Sequence, residues 1–172
     1  MSENRTRIDP PEEDFGIQIL KNGTWLHRGA AIERLNLVKL FATVLRRDEN
    51  GDFWLQTPVE RGRITVDDAP FVAVELRRDI SGDVQALHFR TNIDEWVRLD
   101  AEHPLIIKPA RDTGQLTPYI HIRGGLEARV DRSVYYELAA LAESHAEQPD
   151  LYGVNSAGTF FALMTDESVI QE

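Results

Sequence analysis

Apolar and polar positions change period along the chain, and the changes mark out its elements. Phe15 to Lys21 alternates as Ile17-x-Ile19, Asn22-Gly23 follows, and Thr24-Trp25-Leu26-His27 resumes a β-prone run. Asn-Gly between two such runs predicts a hairpin, because a type I′ turn needs positive φ at both central residues. From 30 to 47 the period is helical, with Ile32, Leu35, Val38, Phe41 or Ala42, and Leu45 on one face. Leu37, Leu40 and Val44 widen that face, so this long helix is expected to be buried on most sides. Asn50-Gly51 ends it and leads into a strand at Phe53-Trp54-Leu55. Five short strands follow, at 63–66, 71–76, 84–89, 95–99 and 105–107, with Ser81-Gly82-Asp83 as the clearest turn. Short gaps between them predict an antiparallel meander and not alternating βαβ units.

The last third echoes the first. A shift of 103 places Ile17 on Ile120, Ile19 on Ile122, Leu35 on Leu138 and Val38 on Leu141. A shift of 107 places Gly51, Phe53 and Trp54 on Gly158, Phe160 and Phe161. A second long helix is predicted over 132–147, with Asp131 as N-cap and Val134, Tyr135, Leu138, Leu141 and Ala142 on its apolar face. The expected fold is α+β: antiparallel sheets, two long helices, and duplicated hairpin–helix–strand units. Residues 1–14 show no periodicity and are expected to be a polar lead, ordered late or disordered. The first unit then spans 15–62; the meander and second unit span 63–172.

Composition narrows the function. The 172 residues hold no cysteine, which removes disulfides, thiol nucleophiles and thiolate metal sites. The net charge of −10 argues against a general nucleic-acid coat, and the deficit sits almost wholly in 58–172, with 11 basic and 20 acidic residues. No apolar run is long enough to span a bilayer, and no signal-peptide core opens the chain, so a cytoplasmic protein is expected. Of 19 basic residues only Lys21, Lys39 and Lys108 are lysine; arginine is the better fork for carboxylate or phosphate.

No phosphate loop, GxGxxG, HExxH, GxSxG or EF-hand pattern occurs. The histidines (27, 88, 103, 121 and 145) stand apart, so no metal or cofactor is expected and each reads as structural or solvated. Asp67-Asp68 beside Pro70 reads as a solvated turn cap. Two segments put polar and aromatic groups at strand ends. Thr57-Pro58-Val59-Glu60 follows a strand and reads either as its exit or as a hydrogen-bonding rim. In the stretch from Pro118 to Arg129, inward Ile120 and Ile122 would leave Tyr119, His121 and Arg123 on one face beside Gly124-Gly125. That face reads either as ordinary cross-strand pairs or as an anion site. The candidate ligand residues are Thr57, Glu60, Tyr119, Arg123 and Arg129: the arginines to fork an anion, the phenol to stack, Thr57 and Glu60 to hydrogen-bond.

Gly23-x-Trp25-x-His27-x-Gly29, Arg34, Val38-x-Leu40-Phe41-Ala42 and Leu55-x-Thr57-Pro58-x-Glu60 together resemble a bacterial domain-of-unknown-function family. Thr91-Asn92, His103-Pro104-Leu105, Pro118-Tyr119 and Arg123-x-x-Leu126-Glu127-Ala128 continue the likeness, from about Ile17 to Met164. The resemblance implies a duplicated core, a C-terminal half superficially like a pleckstrin-homology fold, a site between the halves for a nucleotide-like molecule, and a role in signalling. It assigns no catalytic activity. The leading expectation is therefore a module binding a small, nucleotide-like or anionic ligand. A protein-interaction scaffold and an enzyme of unrecognised type are the alternatives.

Overall fold

The computed structural model describes residues 11–165. β1 (Glu12–Ile19) and β2 (Trp25–His27) form the hairpin expected at Asn22-Gly23, though through a loop in which Gly23 and not Asn22 takes positive φ, so the turn is not type I′; Ile17 stands opposite His27 and Ile19 opposite Trp25. Gly23 has φ 90°, and a Cβ there would meet Asn92 Nδ2 at 2.5 Å, so the turn docks bare backbone onto the second half. The Asn92 amide completes that contact by accepting from Val72 N–H and donating to the Gly23 carbonyl. β3 (Ala30–Ala31), α1 (Leu35–Thr43), β4 (Leu45–Arg47), β5 (Phe53–Gln56) and β6 (Arg61–Val66) complete a six-stranded sheet of order β3-β2-β1-β6-β5-β4.

A second six-stranded sheet follows from β7 (Phe71–Ser81), β8 (Val84–Thr91), β9 (Trp96–Arg98), β10 (Leu105–Pro109), β11 (Leu116–Arg123) and β12 (Leu126–Val130). Its order is β10-β11-β12-β7-β8-β9. Then come α2 (Arg132–Ala140) and a small sheet of β13 (Glu143–Ser144), β14 (Leu151–Ser156) and β15 (Thr159–Thr165). Ser156, fully buried, ties this sheet down: its hydroxyl donates to the Leu99 carbonyl at 2.6 Å and accepts from Leu87 N–H at 2.9 Å.

The chain is α+β, as its pattern predicts, but four expectations need correction. The sheets are not purely antiparallel. Each large sheet joins two antiparallel three-stranded groups through a parallel seam, β1 with β6 and β12 with β7, so its first and last strands meet in the middle. Accordingly 63–66 does not begin a meander; it is the end of β6, closing the first sheet. Of the five expected strands only the three in β7-β8-β9 run as one meander, while 105–107 opens a separate one, β10-β11-β12.

The helices are also short, nine residues each. The expected helix over 30–47 gives up both ends to strands. Leu45 to Arg47 pair with Leu55 to Phe53, because backbone pairing beside an apolar Phe53-Trp54-Leu55 run outweighs helical spacing. α1 buries only Val38 and Ala42, while Leu35 and Leu40 face solvent at 42% and 63% exposure. In the second case 143–144 is β13; Asp131 occupies the N-cap position in extended conformation, and its carboxylate accepts from Ser133 Oγ instead of capping.

Finally, the 103-residue offset does not align buried positions along the helices, since exposed Leu35 would fall on fully buried Leu138. The backbone likeness is between β1–β6 and β7–β12, whose strand orders are the same when each is counted from its own first strand. The polar lead is shorter than expected: Glu12 to Asp14 already pair with Arg61 to Arg63, and residues 1–10 lie outside the described residues. One apolar core spans both halves, with Ile19, Trp25 and Leu45 from the first and Phe71, Leu87, Leu99 and Leu138 from the second, all at most 1% exposed.

Candidate functional site

The loop 67–70, joining β6 to β7, runs through the seam between the halves. Asp68 is not a solvated cap: its side chain is 1% exposed. Its carboxylate accepts from Tyr119 Oη (2.7 and 2.9 Å to the two oxygens) and from the Arg111 backbone N–H at 3.0 Å, and Arg129 Nε lies 3.9 Å away. A buried carboxylate is tolerable only with such partners. Burial, and then the hydrogen bond to Asp68, push the Tyr119 phenol well above its ordinary pKa.

The sign of that shift gives a prediction. A group whose folded pKa is raised contributes stability that is complete below its unfolded value, about 10 for tyrosine, and is lost as pH climbs toward the folded one. Wild type should therefore lose stability from about pH 10 upward more steeply than Tyr119→Phe. Paired urea titrations across that range would show parallel curves if Tyr119 carries no such shift.

Above Asp68 opens a cleft of about 100 Å³ between the halves. Arg47 and Phe53 wall it from the first sheet; Lys108, Arg111, Tyr119 and Glu127 wall it from the second half. Arg47 and Arg111 place their guanidinium carbons 5.3 and 5.1 Å from the Phe53 ring centroid. Glu127 pairs with both Arg47 and Lys108. The Arg111 side chain meets a carbonyl, Gly51 O at 3.1 Å. Three cations thus face two carboxylates, one of them committed beneath to Tyr119, in a chain of net charge −10. Such a site favours an anion about the size of a phosphate group.

The structure does not unite the five residues expected to bind ligand. Tyr119 walls the cleft, but it is 3% exposed and its hydroxyl is occupied, so its role is structural support and not stacking. Both faces of β11 are covered at this point, which the alternation around Ile120 and Ile122 does not foresee. Arg129 approaches the same Asp68 from beneath, donates to the Lys21 carbonyl at 3.0 Å, and lines a different groove. Arg123 stands elsewhere, donating to the Ala42 carbonyl and pairing with Glu95 over the Phe71 ring. Thr57 and Glu60 sit together in a tight turn of the first half, where Thr57 Oγ1 accepts from Glu60 N–H at 3.1 Å.

What the pattern missed is Asp68, Arg47, Lys108 and Arg111. One signal was present: Asp68 precedes Ala69-Pro70-Phe71-Val72-Ala73, an unbroken apolar run that a solvated turn does not need. Among the described residues no group of histidines and carboxylates could hold a metal, and His88 meets Asp79. No described helix is long and apolar enough to cross a membrane.

Two family models match the chain, "Domain of unknown function (DUF1285), N-terminal domain" over 7–69 and "Protein of unknown function (DUF1285), C-terminal domain" over 70–163. They meet inside the Asp68 loop. No curated protein matches. The crystal structure of a DUF1285 family protein from Silicibacter pomeroyi DSS-3 is 39% identical with TM-score 0.83, covering 94% of this chain and 86% of that one. A DUF1285 family protein from Shewanella baltica OS155 is 26% identical with TM-score 0.57, covering 71% of this chain and 88% of that one.

Proposed function

The chain belongs to the DUF1285 family, whose function is unknown, and we propose from the geometry of its own cleft that it binds a small anionic, nucleotide-like ligand between its two halves. The observation that carries this is the surplus of cations lining the cleft, Arg47, Lys108 and Arg111 against Asp68 and Glu127. Arg47, Lys108 and Arg111 would hold a phosphate group, and the Phe53 ring lies beside them for a base or other flat group. Asp68, Tyr119 and Arg129 fix the floor. Arg123 supports the seam, and Thr57 and Glu60 lie apart from it.

A signalling role suits a binding module without recognised catalytic motifs, and a cytoplasmic setting suits a nucleotide ligand; both are parts of this proposal. So is duplication, supported by the repeated strand order and falling as β1–β6 and β7–β12. The pleckstrin-homology likeness of the second half is supported only by its order of six strands and then a helix. A scaffold reading has one observation in its favour, the outer part of the β7–β8 hairpin, where Ile80 and Val84 are exposed.

Calorimetric titration with ADP and pyrophosphate, and with adenosine as the uncharged control, tests the site. ADP and pyrophosphate should bind and adenosine should not. Arg111→Ala should raise Kd by about tenfold or more, the worth of one charge-assisted hydrogen bond, with an unchanged melting point because Arg111 is exposed. Equal binding by wild type and variant would sink the assignment.

A further inference from the structure

The first half contains a cavity that shares no residue with the cleft between the halves. Its volume is about 480 Å³, within the range of about 300–1,000 Å³ that small-molecule sites occupy. Its walls are hydrocarbon: Phe15 and Ile17 of β1, Leu37 and Phe41 of α1, Val44, and Leu55 of β5. One wall depends on a bare backbone position. A Cβ at Gly62 would lie 2.2 Å from the Phe15 ring, so the ring packs directly on β6 and leaves the space beside it open. The polar groups come at the edges, from Glu13, Asp14 and Glu60 together with His27 and Arg28.

That edge is acidic. Three carboxylates face one arginine, and Asp14 spends one oxygen on the Gly16 N–H at 2.8 Å. The carboxylates of Glu13 and Glu60 have no hydrogen-bond or ion-pair partner among the described residues, and both residues are exposed. Glu60 is held over the opening by its turn, through its backbone bonds to Thr57. An anion would meet repulsion here, and a neutral apolar molecule would leave the acids unanswered.

We propose that this cavity binds a small apolar cation, a hydrophobic amine whose hydrocarbon enters between β1 and α1 and whose ammonium group meets Glu13, Asp14 and Glu60. The site is separate in place and in charge from the anion cleft, so either can fail without the other. Hydrophobic burial supplies the affinity and the acidic edge supplies the choice of charge.

The test is titration of the full chain with n-butyl-, n-hexyl- and n-octylammonium, using octanoate and octanol as controls. Methyl NMR of Ile17, Leu37, Val44 and Leu55 locates the binding. Affinity should rise about fourfold per methylene. Octanoate should bind about tenfold more weakly than octylammonium, or worse, and only the cavity methyls should shift. The double variant Glu13→Gln, Glu60→Gln should remove the preference for octylammonium over octanol while keeping the dependence on chain length. Gly62→Ala, which leaves every charge in place, should displace Phe15 and weaken the whole series; if it fails to fold, the glutamine variant decides. Octanoate binding as tightly as octylammonium, or shifts confined to methyls elsewhere, overturns the proposal. Loss of ADP binding in Arg111→Ala should leave these titrations unchanged.

Discussion

Replacing Asp68 by alanine should lower the melting point by roughly 10 °C, the equivalent of about 3–5 kcal/mol in a domain of this size. The carboxylate is the acceptor for a buried phenol and for a backbone N–H from the opposite half, and it lies 3.9 Å from the Arg129 Nε, which has no hydrogen-bond partner. Removing it leaves the buried Tyr119 hydroxyl and the part-buried Arg111 N–H without an acceptor, at on the order of 1–3 kcal/mol each, and takes the nearby carboxylate from the largely buried Arg129 guanidinium. Asp68→Asn keeps one oxygen for Tyr119 and should recover part of the loss, which separates hydrogen bonding from charge. Urea denaturation of both variants gives the comparison. An Asp68→Ala protein within 1 °C or so of wild type would mean that the loop between the halves is far looser than its hydrogen bonds imply.

The second large effect lies far from any proposed site. Gly153→Ala should cost about 3 kcal/mol, the upper end of what overpacking does. A Cβ at Gly153 would stand 2.1 Å from the Phe161 carbonyl oxygen and 2.7 Å from the Phe160 ring. The closest atom is backbone in the paired strand β15, so no rotamer change relieves the clash. The register between β14 and β15 already shifts between Tyr152 and Gly153. Calorimetric melting should show the loss, whereas Gly158→Ala, with nothing within 4 Å of the added carbon, should lose only what its φ of 80° imposes. Equal losses in the two variants would put the cost in backbone conformation and not in contact.

Local chemistry was legible in the chain. The first hairpin turns at Asn22-Gly23, the strand expected at Phe53 to Leu55 is β5, and the α2 face of Val134 and Leu138 is buried as its spacing predicts. What was not legible depends on residues distant in sequence. The alternation of Ile17 and Ile19 says that β1 has a buried face, not that its neighbour is β6. Leu45 continues the apolar face of α1 as readily as it pairs with Leu55, and only the hairpin partner decides. The cleft suffers most from this. Arg47 ends β4, Lys108 lies in β10 and Arg111 follows it, so nothing in local spacing assembles them. Thr57 and Glu60, polar residues at a strand end, line the cavity of the first half and not the cleft between the halves.

The closure of first strand on last has a consequence for synthesis on the ribosome. Glu12 pairs with Arg61, so during translation β1 has only its hairpin partner until β6 emerges about fifty residues later; β7 waits similarly for β12, since Phe71 faces Ala128. Neither half can then accumulate its sheet one strand at a time. Each must hold an open backbone edge in the nascent chain and shut it in a late step, with a loop-closure entropy that short meanders avoid. A ribosome stalled before β6 emerges would display an unpaired β1 edge, an exposed template for misassembly, whereas one stalled once Val66 has cleared its exit would carry a first sheet whose central seam can close.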